Sequence, residues 1–180
     1  MDLAGGDDGT ILKEPSAMEV YCGFWQDQER LIWMWLSGEH DIRKNTEENI
    51  MTIEERAEYA AELKATGRCN CTQAVLKAFE DKLPVNSEEL MKLTAGFAAG
   101  MGCMESTCGA LIGAIVVTGD LTEGKGTPRY SREILSDFQQ RCGGTICKDL
   151  KGMETGVPLC PCPECVRNAV LALGEKTGIK

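Results

Sequence analysis

Cys69 and Cys71, Cys103 and Cys108, Cys142 and Cys147, and Cys160, Cys162 and Cys165 form four clusters in a chain of 180 residues. Cys22 stands apart from them near the start. Thiolates ligate metals and attack disulfides, and a thiol becomes a thiolate most readily beside free backbone N–H groups or cations. The four clusters fall at four predicted helix starts. Cys71, Cys108 and Cys162 lie at or within one residue of a helix N-terminus, and Cys147 lies in the first turn of a short helix. Unpaired N–H groups and a partial positive charge at such ends favour the anionic sulfur.

Each of these four cysteines also continues an apolar stripe. Cys71 lies above Val75 and Phe79, and Cys108 above Leu111, Ile112 and Ile115. Cys147 lies above Leu150, and Cys162 above Val166, Ala169 and Val170. Four helices packed by those stripes would turn four sulfurs inward at one end of a bundle. In the stretch GCMESTCGALIGA, Thr107 is a candidate cap for the helix behind Cys108. Gly109, Ala110, Gly113 and Ala114 keep one side narrow so that neighbouring backbone can approach. The bland alternative, cysteine as a small buried hydrophobe, suits the isolated Cys22 better than four clusters at helix starts.

The spacing matches neither paired zinc knuckles nor a ferredoxin run. Cys-Pro-Glu-Cys at 162–165 is a Cys-x-x-Cys, but no βαβ pattern surrounds it. His40 is the single histidine, which disfavours a mixed Cys/His finger and offers no Cys–His dyad. TEGKGTP at 122–128 lacks the spacing of a phosphate-binding loop. Glu54, Glu55, Glu58 and Glu62 read as a solvated helix face. Lys148 and Arg167 read as surface cations, with thiolate stabilisation as the alternative.

The elements that must position the cysteines are helical from Met51 on. The first helix covers about 53–66, opened by a Thr52/Glu55 capping box and stopped at Gly67. The second starts near Asn70-Cys71 and stops before Pro84. The third starts at Ser87 and carries the stripe Leu90, Leu93, Thr94, Phe97 and Ala98 towards Gly100 and Gly102. The fourth covers Thr107-Cys108 to about Thr118, although the β-branched run Ile115, Val116 and Val117 leaves a buried strand open. TGDLTEGKGTP reads as a loop, and a fifth helix covers about 130–141. A short helix covers 145–150 and ends at Gly152. The last begins at Cys162-Pro163, with proline at the first helical position. The fold class is therefore all-α, a compact bundle of about five to six helices with an N-terminal appendage.

Residues 1–50 differ from the cysteine-rich domain at 51–180. They hold all three tryptophans, Trp25, Trp33 and Trp35, and 11 acidic against 4 basic residues; residues 51–180 hold 17 and 15. Met51 reads as an alternative natural start, because Glu47-Glu48 precedes it as a ribosome-binding site would. The other reading is a genuine extension that packs its tryptophans on the domain. The net charge of −9 disfavours nonspecific nucleic-acid binding. No apolar run reaches membrane-spanning length and the acidic start lacks a secretory signal, which favours the cytoplasm. In that reducing compartment cysteine-rich patterns point to metal or catalytic thiols rather than structural disulfides.

The stretches NCTQAVLKAF at 70–79, GMGCMESTCGALIGA at 100–114, GGTICKDLKG at 143–152 and CPECVRNA at 162–169 resemble the C_GCAxxG_C_C family, small and mostly helical bacterial and archaeal proteins. The likeness covers about 55–175. It implies a redox-active protein whose four family cysteines are Cys71, Cys108, Cys147 and Cys162, with the Cys108–Gly113 segment as its glycine-rich core. Related sequence occurs in split-Soret cytochromes, where an iron–sulfur cluster accompanies haem. The haem-attachment Cys-x-x-Cys-His is absent here. Cys103, Cys142 and Cys165 replace residues common in the family, and Cys69 and Cys160 are further additions. These five are secondary redox candidates.

Three functions follow as expectations. The first is an iron–sulfur or other metal centre for electron transfer with a redox partner protein. The second is a metal-free thiol/disulfide protein, using Cys162 with Cys165 or Cys103 with Cys108. The third is a structural zinc module for partner binding. No complete catalytic constellation marks an enzyme.

Overall fold

The computed structural model describes residues 51–83 and 86–179. The tryptophan-rich extension, Cys22, His40 and the question of Met51 as the start lie outside the described residues. Eight helical segments build the described part: α1 Ile53–Ala65, α2 Cys71–Ala78, α3 Ser87–Leu93, α4 Ala98–Met101, α5 Gly109–Leu121, α6 Thr127–Cys142, α7 Cys147–Leu150 and α8 Cys162–Thr177. A 3₁₀ turn at Ala95–Phe97 joins α3 to α4. No strand occurs among the described residues; Thr107 and Ile146 form one isolated antiparallel bridge. The protein is all-α, and the Ile115–Val117 run is helical.

Local chemistry explains most of the starts. The Thr52 hydroxyl accepts from the Glu55 N–H, and the Glu55 carboxylate accepts from the Thr52 N–H. Asn70 and Gln73 make the same reciprocal box at α2. Each such cap stabilises its helix by about 1 kcal/mol. Pro128 sits in the first turn of α6, where its fixed φ suits helix and its missing N–H is not needed. That is why α6 begins at Thr127 rather than near 130. At the other side of the loop, α5 runs on to Leu121, past the expected end at Thr118.

The α8 helix is central. It packs against α1, α2, α5 and α6, and Val166, Ala169, Val170 and Leu173 are fully enclosed. Its approach to α1 is close: a Cβ on Gly174 would meet Ile53 Cγ1 at 2.1 Å. Burying such aliphatic side chains stabilises by roughly 1.5–3 kcal/mol each. The α5 helix is held in the core by Leu111, Ala114 and Val117. Ile112 and Ile115, expected to share that task, are half-buried.

The third predicted helix breaks. It stops at Leu93, which is 76% exposed, and positive φ values follow at Ala99, Gly100, Met101, Gly102 and Met104. The Thr94 hydroxyl donates to the Leu90 carbonyl, which competes with helix propagation, and Gly96 lies just beyond. The turn also brings Gly100 to the site: a Cβ there would lie 2.7 Å from Cys147 Cβ and 2.9 Å from the Ser106 carbonyl oxygen. Tertiary packing overrides the helical stripe here.

Candidate metal and redox centre

Two short loops strap the segments of Cys108 and Cys147 together. Cys108 N–H donates to the Thr145 carbonyl at 2.8 Å, Cys147 N–H to Ser106 at 3.0 Å, and Lys148 N–H to Met104 at 2.9 Å. The Thr107–Ile146 bridge sits at the centre of this strap. Thr107 is therefore engaged with Ile146 rather than capping α5; Cys108 itself occupies the N-cap position. Cys71, Cys147 and Cys162 are the first residues of α2, α7 and α8. Pro163 accordingly takes the second helical position, behind Pro161 as N-cap.

Cys71, Cys108, Cys147 and Cys162 all line one cavity of about 210 Å³, together with Cys165, Lys64, Asn70, Ala98, Ala99 and Lys151. Glycine makes the walls close. A Cβ on Gly109 would lie 2.6 Å from Cys71 Sγ, 2.7 Å from Thr72 Oγ1 and 2.8 Å from the Phe97 carbonyl oxygen. One on Gly113 would lie 2.9 Å from the Thr72 carbonyl oxygen. The Thr72 hydroxyl is buried and has no hydrogen-bond partner among the described residues. Ala99, a non-glycine residue at φ 51°, holds part of the rim. Such a conformation is strained and persists only where surrounding structure imposes it.

A second sulfur group lies deeper. Cys142 ends α6, Cys160 lies in the loop before α8, and Cys165 sits in the first turns of α8. Their three sulfurs lie within 4.8 Å of one another, and all three residues are buried. That cluster is close enough to hold a metal ion. No three of the four cavity sulfurs named by the sequence stand that close together. The Asn168 amide donates to Cys142 Sγ at 3.5 Å, and the Cys165 thiol donates to the Cys160 carbonyl at 3.3 Å. Cys165 belongs to both groups. Cys103 is exposed and Cys69 half-buried; neither lines the cavity or joins the triad.

The electrostatics separate the sulfurs. The neighbouring Cys165 thiol lowers the Cys108 pKa to about 7, against opposing burial and with help from the Ala110 and Leu111 N–H groups. Cys165 likewise lowers Cys142 to about 7, aided by Cys160 and Asn168. Cys165 itself is pushed strongly upward by Cys108, Cys142 and burial. Burial raises Cys147 to about 11; Lys151 opposes this, while Cys108, Cys162 and Cys71 push it further up. Burial also raises Cys160 to about 12.

Lys148 pairs with Glu105 and Glu154, and Arg167 with Glu58 and Glu164, so both are surface ion pairs. The cations at the cavity are Lys64 and Lys151. Neither is among the cations expected from the sequence: the i+4 spacing of Lys151 from Cys147 is a signal that would have found it, whereas Lys64 reaches the site through the packing of α1, which sequence periodicity does not report.

Comparison with curated proteins and with solved structures returned no match. The family model described as "Putative redox-active protein (C_GCAxxG_C_C)" matches residues 69–176, which span α2 to α8 and every sulfur described above. This chain belongs to the C_GCAxxG_C_C family.

Proposed function

We propose that the protein is an electron carrier whose Cys71, Cys108, Cys147 and Cys162 thiolates hold an iron–sulfur cluster, and that it passes electrons to a redox partner protein in a reducing compartment such as the cytoplasm. The observation that carries this reading is the convergence of four thiols, from the starts of four separate helices, on one cavity.

The donor set and the space fit such a group. Sulfur-only ligation is what iron–sulfur clusters take. The cavity, at about 210 Å³, is far larger than the roughly 10–15 Å³ that one water needs. A single tetrahedral zinc ion, with Zn–S near 2.3 Å, would draw its sulfurs to about 3.8 Å apart. The volume of the cavity, against that compact sulfur shell, favours a polyatomic guest over a structural zinc ion. When bound, the cluster would supply one-electron redox chemistry at sulfur-ligated iron.

The chain's own residues have definite tasks in this reading. Lys64 and Lys151 offset the negative charge of the thiolates. Gly109 and Gly113 let α2 and α5 meet closely enough to bring Cys71 to Cys108. Ala98 and Ala99 close the cavity with apolar surface, which limits water and so tunes potential. A second reading, metal-free thiol/disulfide exchange, is favoured by Cys108 and Cys165 lining the same cavity and by the lowered Cys108 pKa. It differs from the dithiol pairs expected from spacing.

Anaerobic purification with a visible spectrum and iron, zinc and acid-labile sulfide analysis separates these readings. Bound iron and sulfide with a visible chromophore is the expected result. Colourless protein with rapidly titrating thiols would overturn the cluster in favour of the dithiol reading, and stoichiometric zinc in the cavity would restore the structural one.

A further inference from the structure

We infer that Cys142, Cys160 and Cys165 form a second centre, sharing only Cys165 with the lining of the four-cysteine cavity, that binds one thiophilic divalent ion of the zinc class. The sulfurs come from three elements distant in sequence, the end of α6, the loop before α8 and the first turns of α8. Yet they lie within 4.8 Å of one another, so about 1 Å of adjustment reaches the 3.8 Å spacing of a zinc thiolate site.

Three further observations point to a divalent soft ion. Exposure is 3% for Cys142, 5% for Cys160 and 3% for Cys165, and all three belong to the hydrophobic core. Three thiolates in such surroundings carry three negative charges, and a buried net charge is costly. A divalent ion leaves one charge where a monovalent soft ion such as Cu⁺ leaves two, so the divalent ion is preferred. The ligands are all sulfur, which selects zinc-class ions over magnesium or calcium. Finally, the Asn168 amide already donates to Cys142 Sγ, the outer hydrogen bond that orients a metal ligand and tunes it.

Binding is balanced as a proton exchange: the ion enters, three S–M bonds form and the thiol protons leave to solvent. The fourth position of the tetrahedron is left to a non-protein ligand. The bound ion would clip α6 and the preceding loop to α8 beside Cys162. Of the three sulfurs, only that of Cys165 also lines the cavity.

The test uses the full chain, reduced and anaerobic, titrated with Zn²⁺ and read by mass-spectrometric mapping of alkylated cysteines and by bound-metal stoichiometry. Zn²⁺ should slow alkylation of Cys142, Cys160 and Cys165 together, leaving exposed Cys103 reactive. Cys160→Ser should lose one equivalent of zinc while Cys103→Ser loses none. Asn168→Ala should weaken that equivalent about 10–100-fold. Full zinc stoichiometry in Cys160→Ser, or protection confined to Cys71, Cys108, Cys147 and Cys162, would overturn the second centre. If Cys160→Ser fails to fold, the protection map of the unaltered chain decides by itself. Failure of the cavity reading looks different: iron content would then be indifferent to Cys71→Ser, whatever zinc does at the triad.

Discussion

The cavity and the triad are both built of cysteine, but they are built differently. The cavity sulfurs stand at helix beginnings, around a space wider than one ion needs. The triad sulfurs stand at a helix end, in a loop and in an early turn, packed within 4.8 Å. Helix starts aim dipoles and free N–H groups at a guest; a close-packed triad offers only sulfur. The first arrangement suits a polyatomic redox group, the second a single soft ion. Cys165 joins them, belonging to the triad and lining the cavity beside Cys108.

Serine substitution tests this division most sharply. Replacing Cys71, Cys108, Cys147 or Cys162 should each abolish cofactor retention, measured as iron per chain, whereas Cys103→Ser and Cys69→Ser should retain it. Retention by all four variants would dissolve the distinction between cavity and triad.

Backbone approach gives the next effect. Gly152 has φ +66°, and a Cβ there would fall 2.1 Å from the Val157 carbonyl oxygen. Gly152→Ala should therefore destabilise by about 2–4 kcal/mol in urea unfolding, from strain plus overpacking. The loop that carries Cys160 depends on it. Gly109→Ala, pressed on Cys71 and Thr72, should cost about 1–3 kcal/mol and open the cavity wall. Gly96, with open space around its Cβ position, should accept alanine within about 0.5 kcal/mol.

Arg56 is a structural control remote from the chemistry. It is 1% exposed, makes a bidentate pair with Asp81 at 2.6 Å and lies over the Phe79 ring. Arg56→Ala should lower stability by about 2–3 kcal/mol without altering which cysteines hold the cofactor. Retained fold with altered cofactor content would show that the Arg56–Asp81 pair acts on the site as well as on stability.

The smallest effect is a difference in thiol reactivity within the cavity. Cys108 and Cys147 are equally buried, each 5% exposed. In metal-free protein Cys108 is a thiolate above pH about 7, whereas Cys147 stays protonated until about 11. As pH rises from 6 to 9, roughly, alkylation of Cys108 should accelerate first and Cys147 should lag. Equal profiles would remove the asymmetry assigned to Cys165 and the α5 N–H groups.

Much of the cavity was legible because its signals are local. The helix start at Asn70-Cys71, the Gly109–Ala110 narrowing and the stripe of α8 each announce a helix start or a packed face within a few residues. The triad was less so. Cys142, Cys160 and Cys165 read only as additions to the family pattern, because their meeting depends on the path from Leu150 to Cys160. That path is fixed by Gly152 and by the Cys160 N–H on the Leu150 carbonyl, contacts with no periodicity. The break after Leu93 escaped for a similar reason, since a good apolar stripe continues through a turn that tertiary contacts impose.

Low-temperature electron paramagnetic resonance of the dithionite-reduced full chain reads the cavity cluster itself. A cluster signal is expected in the unaltered protein and in Cys160→Ser, with its loss in Cys71→Ser. A silent, colourless unaltered protein, or a signal that survives Cys71→Ser, would contradict it.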